Sequence, residues 1–98
     1  SEKAYKKALE LDPKDEDTLF YLASFYSDIT EYKKSIKIYK RLTVLNPNNA
    51  DVFSNMGFTY FKMDKYKESE KAYKTALKLN PDNKDIFDNL NYIDSMNK

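Results

Sequence analysis

A chain of 98 residues holds one small domain. Its 17 basic and 16 acidic residues nearly cancel, which removes the strongly basic face of a general nucleic-acid binder and any pull toward an anionic membrane. With no Cys, no His and a single Gly there is no thiol nucleophile, no imidazole base or metal ligand, and no phosphate-cradling loop, so neither an enzyme nor a cofactor is expected. No apolar run nears the roughly 20 residues that cross a bilayer. The first residues read as helix rather than signal peptide, and with the lack of Cys they favour an intracellular, cytoplasmic setting.

Taken in chain order, apolar residues at helical spacing predict helices over 1–11, 16–28, 31–45, 50–62, 65–79 and 84–96. The first is carried by Ala4, Tyr5, Ala8, Leu9 and Leu11 and ends before Pro13. Asp15 then offers an N-cap, as do Asn49 and Asn83 at the same column. Thr30 and Asp64 are expected to cap the second helix of each pair. Asn46 and Asn80 precede Pro47 and Pro81, where the backbone is biased away from helix and the ladder must stop. Short connections between helices call for antiparallel packing of neighbours.

The prolines recur every 34 residues, at 13, 47 and 81. The same step relates Tyr5, Tyr39 and Tyr73; Ser1, Ser35 and Ser69; Leu11, Leu45 and Leu79; and Asp17, Asp51 and Asp85. Residues 1–15 match 69–83 at 10 of 15 positions, and 16–49 match 50–83 at 12 of 34. This is an internal repeat of a helix pair. Gly57 and Ala23 are small where two helices must approach closely, and Ser35 and Ser69 are small on the facing helix. Tyr26, Tyr39, Tyr60 and Tyr73 are core by spacing.

A period of 34, a helix pair per period and a closing Pro resemble the tetratricopeptide repeat. The second complete repeat supplies Phe53, Met56, Gly57, Tyr60, Ser69, Tyr73, Ala76 and Pro81 at the pattern positions. The first supplies Leu19, Leu22, Ala23, Tyr26, Ser35, Tyr39, Leu42 and Pro47. The resemblance implies an all-α solenoid of antiparallel helix pairs in a right-handed superhelix. It would form one domain over 1–98: the second helix of a truncated repeat (1–15), complete repeats at 16–49 and 50–83, and a terminal helix at 84–98. Asn91 and Asp94 replace the small and tyrosine columns in that last helix, which suits a polar cap. The repeat-like start is read as a piece of a longer array, and the array is expected to end near Lys98.

The resemblance also implies a concave groove lined by the first helix of each pair. The residues in those columns are Asp17, Phe20, Tyr21 and Ser24 in the first repeat, Asp51, Asn55 and Phe58 in the second, and Asp85, Asn89 and Tyr92 in the terminal helix. Asn and Asp can hydrogen-bond an extended backbone and aromatics can hold side chains, so the expected partner is a protein or peptide of basic or aromatic character. The three aspartates also sit in the first turns of their helices, where a carboxylate complements the macrodipole. Phe58 and Tyr92 have packing between repeats as an alternative role.

Members of the family that hold the carboxylate tails of Hsp70 and Hsp90 use Lys, Arg and Asn at groove columns. This chain presents Asp51, Asp85 and Asn89 there, and only Asn55 fits, so that tail is not the expected ligand. The lysines of the second helices read as a solvated convex face. Asp12, Asp15, Glu16 and Asp17 lack the Gly and the spacing of a calcium loop, so no metal is expected. Two other readings remain beside the interaction module. Copies could stack end to end through their half repeats, or the chain could be a substrate-recruiting arm of an enzyme whose catalytic domain lies elsewhere.

Overall fold

The computed structural model describes residues 2–97. These form six helices: α1 (Glu2–Leu11), α2 (Glu16–Asp28), α3 (Tyr32–Leu45), α4 (Ala50–Lys62), α5 (Tyr66–Leu79) and α6 (Lys84–Met96). No strand occurs among the described residues. The expected helices appear with boundaries shifted by at most a residue. The chain divides into two compact units, Ser1–Pro47 with α1 to α3 and Asn48–Lys98 with α4 to α6.

In the first unit α2 is the central element, packing against both α1 and α3. It begins where Asp15 accepts hydrogen bonds from the backbone N–H groups of Asp17 (3.1 Å) and Thr18 (3.4 Å) and from the Thr18 hydroxyl (3.0 Å). It buries Leu19, Leu22, Ala23 and Tyr26, and α3 answers with Ser35, Ile36, Ile38, Tyr39 and Leu42. The close approach that small residues were expected to allow is present. The Ser35 hydroxyl donates to the Ala23 carbonyl at 2.8 Å. On the other side, α1 buries no residue fully, and its Tyr5 ring meets Phe25 at 6.2 Å.

The second unit repeats the design. Asn49 and Asn83 cap α4 and α6 through their side chains. The Ser69 hydroxyl donates to the Gly57 carbonyl at 2.6 Å, the bond of Ser35 to Ala23 displaced by one period. A Cβ built on Gly57 would lie 2.7–2.9 Å from three ring carbons of Tyr73, so glycine is what lets that ring seat. Tyr73, Ala76, Ile86 and Ile93 form a core shared by α5 and α6, with Phe53, Phe61, Tyr66, Leu77 and Leu90 around it.

Two expectations need correction. Thr30 and Asp64 do not cap the following helices; the N-cap positions are Glu31 and Lys65, and neither makes a side-chain cap bond. Thr30 and Asp64 instead terminate the preceding helices in the left-handed region, at φ 63° and 61°. The bonds Glu31 N–H to Tyr26 carbonyl (2.7 Å) and Thr30 N–H to Ser27 carbonyl (3.1 Å) make a Schellman motif. Lys65 to Tyr60 (2.9 Å) and Asp64 to Phe61 (3.0 Å) repeat it. Tyr60 is only half-buried, whereas Thr59 beside it is buried, with its hydroxyl satisfied by the Asn55 carbonyl at 2.9 Å. Ser1, expected in the small column of Ser35 and Ser69, lies outside the described residues, as does Lys98.

Candidate peptide-binding faces

On α2, the helix period places Asp17, Phe20, Tyr21 and Ser24 along one face, apart from the buried set. The face is not uniform. Phe20 is half-buried, with its ring 6.2 Å from both Tyr21 and Tyr39. The Ser24 hydroxyl lies 3.2 Å from the Tyr39 phenol, so it is engaged with the helix-pair core. Asp17 and Tyr21 project to solvent, Tyr21 with 58% of its surface exposed.

In the second unit, Asp51, Asn55 and Phe58 follow one another along α4, and Asp85, Asn89 and Tyr92 along α6. Both helices pack against α5. The two rows are joined by Phe61 of α4, whose ring meets Tyr92 of α6 at 5.7 Å and Tyr66 of α5 at 5.6 Å. Tyr92 therefore has a packing role, yet it stays 59% exposed. Phe58 is 49% exposed, and the Lys62 ammonium lies 5.3 Å from its ring centre. Asp51 and Asp85 sit in the first turns of their helices, as Asp17 does in α2, so each carboxylate also complements a positive helix end. Asn55 is half-buried and Asn89 exposed.

The acidic turn before α2 has a structural use. Asp12 accepts from the Lys14 backbone N–H at 3.1 Å, and Asp15 is the cap already described. Two polar contacts that sequence reasoning missed lie at one repeat column. Burial, and then a hydrogen bond to Glu2 on α1, raise the Tyr26 phenol on α2 to about 12, and the same bond lowers the Glu2 carboxyl. Two periods later the same column holds Asp94, and the position of Glu2 holds Glu70. Hydrogen bonding with Asp94, a bond donated by Asn97 at 3.2 Å and Lys74 at 3.2 Å keep the Glu70 carboxyl below its ordinary range. Asn97 also donates to the Tyr66 carbonyl at 3.2 Å, tying the end of α6 to the start of α5. The signal was available in the repeat arithmetic, since both pairs are 24 residues apart.

No helix among the described residues is long and apolar enough to cross a membrane. Three repeat models match the sequence: two described as tetratricopeptide repeat, over residues 4–37 and 50–83, and one as TPR repeat, over 30–64. No curated protein sequence matches. Among solved structures, the first TPR of Spaghetti (RPAP3) bound to an HSP90 peptide superposes with a TM-score of 0.91 at 23% identity, covering 97% of this chain and 75% of that one. MamA gives 0.89 at 31% identity, covering 98% of this chain and 57% of MamA. YrrB, a TPR protein with an unusual peptide-binding site, gives 0.84 at 24% identity, covering 95% of this chain and 48% of YrrB. The chain thus spans about half the length of the last two. Its fold is an all-α helical repeat, and with matched models running from residue 4 to residue 83 the chain belongs to the tetratricopeptide repeat family.

Proposed function

We propose that this chain is a protein-interaction module that holds a peptide or a partner helix on the exposed faces of its first helices. The observation that carries this reading is the pairing of large exposed aromatics with hydrogen-bonding side chains on the same faces. Phe58 stands nearly one turn from Asn55 on α4, and Tyr92 the same distance from Asn89 on α6. Asp51 and Asp85 head the two rows, and on α2 Asp17, Tyr21 and Ser24 occupy the equivalent columns, with Phe20 beside them at the column of Ser54 and Asp88. Exposed aromatics flanked by polar groups are the usual anchors of peptide recognition. The solved neighbours include one bound to an HSP90 peptide and one described by its peptide-binding site, which supports the class of ligand. The acidic rows favour a basic or aromatic peptide. They do not favour the Hsp70 or Hsp90 tail, because Asp51 and Asp85 would repel its carboxylates.

The test uses peptides selected by display against the wild-type chain. Phe58→Ala should weaken the selected peptides by about tenfold or more, the loss of a contact worth roughly 1–2 kcal/mol. Asn55→Ala should weaken them less, and helicity by circular dichroism should be unchanged in both. Undiminished binding by both variants would remove these faces as the site.

A second reading is favoured by α6, which leaves Phe87, Tyr92 and Met96 exposed around its surface. Copies of the chain could associate through it, although exposed Asn91 and Asp94 interrupt its apolar surface. Light scattering separates the readings, since a mass that stays monomeric as concentration rises rules out self-association.

A further inference from the structure

The helices α3 and α5 are copies one period apart, and the places where they differ are informative. Both carry exposed lysine at the same three columns, Lys33, Lys37 and Lys40 in α3 and Lys67, Lys71 and Lys74 in α5. They diverge at seven columns, and at four of these the charge changes: Lys34 against Glu68, Ile36 against Glu70, Arg41 against Thr75, and Val44 against Lys78. In α5 the lysines are partly neutralised, with Glu70 at 3.2 Å from Lys74. In α3 no acidic residue interrupts the cations, and its nearest carboxylate, Glu31, stands 3.9 Å from Lys34 at the helix start.

The basic stripe ends in an apolar recess. Arg41 is held in place by a hydrogen bond from Nη2 to the Pro13 carbonyl at 3.1 Å. Pro13, Lys14, Arg41, Val44 and Leu45 line an open pocket of about 260 Å³. Val44 leaves 82% of its surface in water at a column where the sister helix places lysine. The helix macrodipole gives no reason for these cations, since the last turn of α3 holds no basic residue. It accounts neither for the aliphatic side chain at 44 nor for the recess against Pro13. Positions 33, 37, 40 and 44 fall on one helix face about 16 Å long, the reach of about five residues of extended chain.

We propose that this face of α3 is a second docking surface, for an acidic peptide segment that carries one large apolar residue. The carboxylates lie over Lys37, Lys40 and the free edge of the Arg41 guanidinium, whose planar fork matches a carboxylate. The apolar side chain enters the recess between Val44, Leu45 and Pro13. A peptide fits better than an anionic membrane, because neighbouring α2 carries Glu16, Asp17 and Asp28 and no cation. The surface lies on a second helix, so it stands or falls independently of the faces under "Proposed function".

The probe is a blocked, fluorescently labelled peptide of three glutamates followed by Leu-Phe. Titrated into isotopically labelled protein, it should move the amide resonances of Lys14, Lys37, Arg41, Val44 and Leu45. Anisotropy should show affinity falling by about tenfold when salt rises from about 50 to about 300 mM, because exposed charge pairs are screened. The triple variant Lys34→Glu/Arg41→Thr/Val44→Lys, which carries the side chains of α5, should bind at least about tenfold more weakly. Val44→Lys alone should lose at least about threefold, and it serves if the triple variant is destabilised. Lys71→Ala, at the sister column of Lys37 on α5, should bind this probe as the wild type does. Resonance changes confined to α2, α4 or α6, equal binding by both α3 variants, or no response to the peptide would overturn the proposal. Binding to phosphatidylserine vesicles in preference to the peptide would overturn it as well.

Discussion

Thr30 is held at φ 63°, a conformation that costs an L-residue roughly 1–2 kcal/mol and a β-branched one the most. Its N–H and that of Glu31 close the Schellman motif, so the chain reversal needs this geometry whatever side chain is present. Thr30→Gly should therefore raise stability by about 1 kcal/mol, read as a higher midpoint in urea with an unchanged slope. The misreading of Thr30 and Asp64 as N-caps has a physical origin. A small polar residue suits either helix end, and neither is followed three residues later by the Glu or Gln of a capping box; Lys33 and Lys67 stand there instead. Gly57 is the opposite case, legible from its column alone. An added Cβ would strike the Tyr73 ring, which is nearly fully buried and cannot swing aside. Gly57→Ala should cost about 1–3 kcal/mol, the range for overpacking, and its melting temperature against wild type is the measurement. Ala23 is tolerated one period earlier, so the clash depends on how each tyrosine ring is seated and not on the column itself.

At the scale of helices, punctuation was the most legible feature. Pro13, Pro47 and Pro81 stop their helices, and Asp15, Asn49 and Asn83 start theirs with the side-chain bonds expected. Burial within a helix was less legible. Thr59 is polar by composition and buried in fact, because its hydroxyl turns back onto its own helix and hides. Tyr60, one residue on, is left half-buried. The contacts between helices through Glu2–Tyr26 and Glu70–Asp94 were not foreseen, since periodicity marks faces and not the partners that face each other. In the first pair a phenol meets a carboxylate; in the second two carboxyl groups meet. Asp94→Asn replaces one of those carboxyls with an amide that can donate. With that amide in place a donor to Glu70 is present at every pH, so the variant should melt no lower than wild type at pH 7, and both chains should lose stability as the pH falls through the lowered Glu70 value. Thermal melts of both chains at pH 7 and pH 4 would show it.

For the molecule as a whole, the peptide faces were legible only as columns. The exposure of Tyr21, Phe58 and Tyr92 depends on how neighbouring rings pack, which spacing does not encode. The tyrosines offer a global probe, because the chain has nine of them and no Trp. Burial pushes Tyr73 up to about 12, and burial with the Glu2 hydrogen bond pushes Tyr26 to about the same value, from an ordinary 10.0. Tyr66 is raised by its bond to Asp64. A phenol whose folded value is raised supports the fold fully below pH 10.0 and ceases to do so as pH climbs through about 12. Phenolate absorbance should therefore rise in two stages. The second stage should coincide with the loss of helical ellipticity and include Tyr26 in one unit and Tyr73 in the other. Tyr73→Phe should shrink that second stage while leaving the first intact.

The hydroxyl bonds of Ser35 to Ala23 and of Ser69 to Gly57 each join residues 12 apart, so each helix pair aligns itself without reference to any other. A further period of 34 residues, spliced in at the junction between Pro47 and Asn48, would bring its own alignment with it and would leave both existing bonds unchanged. Lengthening by duplication is then nearly neutral for the pairs already present. A chain built this way can gain binding surface in whole steps, with each new copy free to diverge as α3 and α5 have done.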